Sequence, residues 1–261
     1  MDQFEKIVNE TLLSGIAPLQ QHYVGIFDGY GECPIAYRSY TDLFTASTGV
    51  IEESRGKIDQ KAIGARISIR NVVHGIRTMQ NLIDQGRTTK WISVEASTSL
   101  LMEEDLFTSL DEVLKKESFS QTEKICLMFS PSVMKVESEL VRKGMADIKA
   151  LGLKIALGPI TKEFALSSIM DLPIDVVVLA SELTLLATDR NKPGVLGAMI
   201  ALLHTMGVSV VAEGVENDDQ IRELTTVECF GFIPTLSYRG EFLLPLGKRT
   251  EEEIEKDEES V

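Results

Sequence analysis

Residues 195–212 read VLGAMIALLHTMGVSVVA. Leu196, Met199, Ile200, Leu203 and Met206 recur at helical spacing, and Gly207 follows them where a helix closes in a left-handed turn. Residues 208–212 then form a short branched apolar run. A helix that enters such a run through one glycine is the unit of a βα repeat, and the run suits a strand buried on both faces. The device recurs upstream. Leu140, Met145, Ile148 and Leu151 lead to Gly152, and residues 153–157 read LKIAL. Further runs stand at residues 91–94 (WISV), 125–129 (ICLMF) and 176–179 (VVVL). Units repeating at about 30 residues predict a parallel sheet. An open doubly wound sheet and a closed (β/α) barrel both accommodate that pattern. No G-x-G-x-x-G follows a strand, so the dinucleotide-binding sheet gains no support and the barrel is the preferred reading.

The N-terminal part departs from the repeat. Residues 23–27 (YVGIF) and 34–40 (PIAYRSY) flank the glycine-rich stretch 28–32, DGYGE, which predicts a hairpin and hence one antiparallel strand. No internal repeat or linker divides the chain, and 261 residues suit one large barrel. Residues 1–247 are therefore read as a single domain and residues 248–261, rich in glutamate, as a flexible acidic tail.

The balance of 26 basic against 40 acidic residues gives a formal net charge of −14, which opposes general nucleic-acid binding. No apolar run is long enough to cross a bilayer, and the charged N-terminus lacks the core of a secretory signal, so a cytoplasmic location is expected. Cys33, Cys126 and Cys229 form no zinc-ligand spacing, and Cys126 reads as a small core residue. His22, His74 and His204 are scattered and carry no motif.

Four blocks in order carry a family resemblance. Residues 210–220, VVAEGVENDDQ, resemble the VVAEGVE stretch of EAL domains, and residues 148–157, IKALGLKIAL, resemble the segment leading to their DDFG motif. Residues 172–175 (LPID) and 92–97 (ISVEAS) resemble two further EAL blocks, so that the likeness runs from about residue 20 to residue 246. The resemblance implies a modified (β/α)8 barrel with one antiparallel strand, and cleavage of cyclic di-GMP by divalent metals, magnesium or manganese, held by acids at the strand ends.

Carried over position by position, that apparatus is largely replaced. The signature glutamate falls on Arg38 and the phosphate-gripping arginine on Asp42. The asparagine ligand falls on Glu95, the next two glutamates on Met128 and Pro131, and the paired aspartates on Gly158 and Pro159. The lysine and aspartate after the following strand fall on Val178 and Ala180, whereas Glu213 and Glu216 survive. Hard cations need about six oxygen ligands, so these vestigial positions predict no catalytic residue, no bound metal and no cofactor. Glu213 is expected instead to pair with Arg38 across the barrel mouth. The sequence therefore predicts an inactive EAL-like regulatory domain acting on an unidentified protein partner in or near cyclic di-GMP signalling. The alternatives are a receptor that binds the nucleotide without cleaving it, and a residual phosphodiesterase. The resemblance also implies a homodimer through a helix at about residues 162–171, although its Phe164, Leu166, Ile169 and Met170 could equally face the barrel.

Overall fold

The computed structural model describes residues 19–29, 31, 33–45, 49–50, 62–136, 138–192 and 194–239. Their strands are β1 (Leu19–Ile26), β2 (Ala36–Thr45), β3 (Gly49–Val50), β4 (Ile92–Ala96), β5 (Ile125–Phe129), β6 (Lys154–Ile160), β7 (Val176–Leu179), β8 (Ser209–Val215) and β9 (Gly231–Pro234). Eight form one sheet in the order β1-β2-β4-β5-β6-β7-β8-β9, with β3 folded back on β2. Every pair from β2–β4 to β8–β9 is parallel, whereas β1 runs antiparallel to β2 in register from Leu19–Leu43 to Ile26–Ala36. Just past β1, Phe27 and Phe232 exchange two backbone hydrogen bonds of 2.9 Å and close the sheet against β9. The result is a nearly closed (β/α)8-type barrel whose one antiparallel strand comes from the N-terminal hairpin.

Alternation along each strand sorts the core into two layers. Ile26, Ala36, Cys126, Met128, Ala156, Val176, Val178, Val211 and Ile233 fill the barrel interior. Their neighbours, including Ile92, Val94, Leu127, Ile155, Val177 and Val210, pack outward against the helices. Both faces of each central strand are thus buried, which is why the runs are continuously apolar instead of alternating.

The helices are α1 (Ala62–Asp84), α2 (Leu106–Lys116), α3 (Ser138–Ala150), α4 (Ser181–Thr184), α5 (Val195–Thr205), α6 (Asp218–Thr226) and α7 (Leu236–Arg239). Gly152 and Gly207 follow α3 and α5 with φ of 78° and 75°, the left-handed closure read from the sequence. In α3 the buried ridge is Val141, Met145 and Ile148, and Leu140 is exposed. The expectation for Leu140 is corrected by spacing, since positions 141, 145 and 148 share one face and position 140 does not.

A larger correction concerns residues 162–171. No full helix forms there, only a 3-10 turn at Leu166–Ile169. Three-residue closures run through the segment, from Phe164 N to Thr161 O at 3.0 Å, Ser168 N to Ala165 O at 3.0 Å and Leu172 N to Ile169 O at 3.1 Å. Adjacent Ser167 and Ser168 compete with helical bonding, and Pro173 forces the residue before it out of the helical region. Ile169 is buried and Met170 is 63% exposed, so the segment offers no continuous helical face. Among the described residues no helix is long and apolar enough to cross a membrane. The tail at residues 248–261 lies outside the described residues.

Candidate functional site

The carboxyl ends of the parallel strands converge on one mouth, where barrels carry their chemistry. Period-two alternation turns Arg38 on β2, Glu95 on β4, Met128 on β5, Gly158 on β6, Val178 on β7 and Glu213 on β8 inward, toward the same end. Register supports the placement, with Glu95 opposite Met128 and Val178 opposite Val211, one inward position before Glu213. Glu213 is aimed by a bulge. The β8–β9 register shifts between Glu213 and Val215, and Gly214 between them adopts φ of 79°. A Cβ at Gly214 would lie 2.5 Å from the Ser181 Cβ, so this approach needs glycine.

At the centre of the mouth, Arg38 Nη1 donates to Glu213 Oε2 at 2.7 Å. The arginine is only 5% exposed, and the Glu213 side chain is 25% exposed. Tyr40, two residues further along β2, donates its hydroxyl to Glu213 Oε1 at 2.8 Å. The Arg38 guanidinium carbon lies 4.4 Å from the centroid of the Tyr40 ring, a cation–π contact. Both Glu213 oxygens are therefore engaged. Burial opposes the charge on Arg38, yet Tyr40, Glu213 and Glu95 hold its pKa above the ordinary arginine value. Burial likewise pushes the Tyr40 phenol up, aided by Glu213 and Glu95 against Arg38, so it stays a donor. Glu95 Oε2 accepts from the backbone N–H of Thr41 at 2.8 Å.

Among the other positions, Met128, Gly158, Pro159, Val178 and Ala180 have no polar side-chain group with which to join this cluster. Met128 and Val178 pack inside the barrel, Pro159 is exposed and Ala180 stands at the start of α4. Glu216 is exposed, and its backbone N–H is held by Gln220 Oε1 at 2.7 Å while Asn217 caps α6 through Gln220 N at 3.0 Å. Much of the 216–220 motif thus serves the helix start. Pro131 opens a 3-10 turn after β5. Asp42 lies on β2 opposite Gln20. Sequence reasoning passed over Tyr40. The signal was available, because an inward Arg38 makes position 40 inward as well.

The donor set does not fit a pair of hard divalent cations. A cation at Glu213 would stand beside the buried positive charge of Arg38, and among the described residues no three His, Cys, Asp or Glu side chains are grouped to hold a metal.

The buried acids of the fold set a pH response. Burial pushes the Tyr23 phenol up to about 12 and the Cys229 thiol up to about 11, and raises Tyr40 and Cys126 as well. A pKa raised in the folded state gives stability that is complete below the unfolded value, about 8.5 for cysteine and 10 for tyrosine, and that is lost as pH rises toward the folded value. Urea unfolding should therefore give a steady free energy from neutral pH to about 8.5 and a falling one above it. Tyr40→Phe should shallow the decline above about pH 10, and an unchanged slope would remove Tyr40 from the account.

The EAL domain model matches residues 58–232 of the chain. Among solved structures, the chain superposes on the PaMucR phosphodiesterase in complex with cyclic di-GMP at a TM-score of 0.76 and 19% identity, covering 92% of this chain and 98% of that one. The EAL-domain protein from Listeria monocytogenes EGD-e gives 0.69 and 22% over the full length of both. The EAL enzyme Bd1971, bound to cAMP and cyclic di-GMP, gives 0.75 and 16%, covering 91% of this chain but 66% of that one. An uncharacterised Azorhizobium caulinodans protein is 28% identical over 107 residues, 40% of this chain and 15% of that protein.

Proposed function

This chain belongs to the EAL-domain family, and from that premise we propose that it is a catalytically inactive member, acting in or near cyclic di-GMP signalling by contact with another protein. The observation that supports the reading is the occupancy of Glu213. Here one oxygen accepts from the fixed cation Arg38 and the other from Tyr40, so the charge of Glu213 is already paired and its position set without a metal. A divalent ion would also meet the fixed charge of Arg38 in a partly dehydrated mouth, a repulsion of about 4 kcal/mol for each unit of its charge at 4 Å and an effective dielectric near 20. Without a metal to polarise the phosphoryl oxygen and acidify a water, no described residue of the mouth is placed to supply the nucleophile. The retained barrel then serves as a scaffold whose surface carries the function.

The test is a calorimetric titration of the full chain with cyclic di-GMP, with and without magnesium or manganese, together with chromatography for the linear dinucleotide. Neither binding heat nor product is expected. Binding without product would favour the receptor reading. Product formation lost in Glu213→Ala would restore the phosphodiesterase reading.

A further inference from the structure

Gly144 of α3 lies against the backbone of another element. A Cβ there would stand 2.8 Å from the Leu101 carbonyl oxygen and 3.0 Å from the Leu101 Cα, so the 3-10 turn Thr98–Met102 sits directly on α3. Met102, which ends that turn, is 50% exposed, and Leu140, one turn before Gly144 on the same face of α3, is 36% exposed. Phe107, in the first turn of α2, is 41% exposed. All three stand near the starts of α2 and α3, which follow the carboxyl ends of β4 and β5.

These residues top the two walls of one groove. At about 100° per residue, Phe107 shares a stripe of α2 with Asp111, and Leu140 shares a stripe of α3 with Gly144 and Asp147. Toward the far ends of the helices the stripes meet a cleft of about 420 Å³, whose lining includes Asp111, Leu114, Lys115, Phe119, Ala150 and Leu151. Both helices line that cleft, so the groove runs between them from the apolar upper end down to it. Acids outnumber bases along its length. Glu103, Glu104 and Asp105 form the exposed link between Met102 and α2, and Asp111 and Asp147 stand on the walls. Lys115 is tied to Asp111 by an ion pair. Arg142 and Lys143 are turned from Leu140 by roughly 160° and 60° around α3.

We propose that this groove docks a basic amphipathic helix of another protein. Its apolar residues seat on Met102, Phe107 and Leu140, and its lysines or arginines face Glu103, Glu104, Asp105 and Asp147. Two helix flanks offer side chains but no unpaired backbone edge. They therefore suit a helix, which satisfies its own hydrogen bonds, and not an added strand. Charge selects the occupant. The chain carries a net charge of −14, so a second copy, a nucleic acid or an anionic lipid surface meets repulsion, whereas a basic helix is steered toward the acids of the groove. The proposal rests on the reading of this chain as a protein-contact module. It does not rest on the state of the mouth, because the groove lies on the outer, helical layer of the barrel.

The test is fluorescence anisotropy of a labelled peptide with the full chain in about 0.15 M salt. The peptide has about 14 residues, leucine and lysine in helical alternation, and is roughly 21 Å long as a helix. Binding at tens of micromolar is expected, and a twin with glutamate for every lysine should bind about tenfold more weakly. Phe107→Glu is the deciding variant. It adds a negative charge, which strengthens any merely ionic capture of the peptide, yet it removes the aromatic anchor. Binding should therefore weaken by about tenfold, with an unchanged circular dichroism spectrum. Leu202→Glu, which adds the same charge at an exposed position of α5, should leave binding intact. No binding up to roughly 200 µM would overturn the proposal, and so would binding undiminished in Phe107→Glu. Turnover of cyclic di-GMP by a chain that still binds the peptide through Phe107 would end the proposed inactivity and leave the groove standing.

Discussion

Glu213→Ala is expected to lower the folding free energy by about 3 kcal/mol, near the lower end for breaking a buried ion pair because the glutamate is partly exposed. The substitution leaves the Arg38 guanidinium buried without the carboxylate it hydrogen-bonds, and its Nε already lacks a hydrogen-bond partner among the described residues. It also strands the Tyr40 hydroxyl, which donates only to Glu213 among the described contacts. In a chain of this size the thermal midpoint should fall by about 6–12 °C. The sign is what discriminates. In a cluster of acids awaiting metal, removing one carboxylate relieves like-charge repulsion, and the metal-free protein gains stability. Here the same substitution should destabilise. A second variant fixes the cause: Arg38→Met combined with Glu213→Leu removes both charges and should recover most of the loss, as apolar replacement of a buried pair does. Chemical denaturation of the three proteins settles the matter. A Glu213→Ala protein as stable as the wild type would end the account of Glu213 as a structural partner.

Strands and helix ends were legible in the sequence because each is written locally. Runs such as residues 176–179 announce burial on two faces, and Gly152 and Gly207 announce left-handed closures. The antiparallel β1 was legible from a turn signal between two branched runs. The Arg38–Glu213 pair was legible through opposite charges at two strand ends, although its distance of 2.7 Å was not. What the sequence hid depends on tertiary competition. The apolar residues of 164–170 suit a helix by composition, but only Ile169 finds a fully buried place and Met170 is left outside. Leu140 and Val141 are equivalent by hydrophobicity, and only the direction in which α3 docks selects Val141. Glu95, which stands at the asparagine-ligand position, accepts the backbone N–H of Thr41. That bond depends on how β2 and β4 lie side by side, a relation that no local pattern records.

Gly158→Asp, the change that would return one acid of the metal set, should destabilise the protein instead of rearming it. A Cβ at Gly158 would sit 2.6 Å from the Val178 carbonyl oxygen and 2.8 Å from its Cβ. The first obstacle is backbone, so trimming Val178 to alanine cannot remove it. Gly158 also holds φ of 153°, a region essentially restricted to glycine and costing other residues about 1–3 kcal/mol. Steric overlap adds to that figure, because β6 and β7 would have to move apart inside a closed sheet. The loss should therefore exceed about 3 kcal/mol in chemical denaturation. A glycine at position 158 and the close approach of β6 to β7 thus go together, and one substitution is not expected to separate them. Arg38→Glu alone should leave the mouth inactive, since Glu213 would lose its guanidinium partner while Gly158 and Pro159 still supply no carboxylate. Arg38→Glu combined with Gly158→Asp should be less stable than either single variant and should show no heat of manganese binding in calorimetry. A double variant that folds as stably as the wild type and takes up manganese at micromolar concentrations would show that the strands can open, and that the mouth retains a metal site lacking only its ligands.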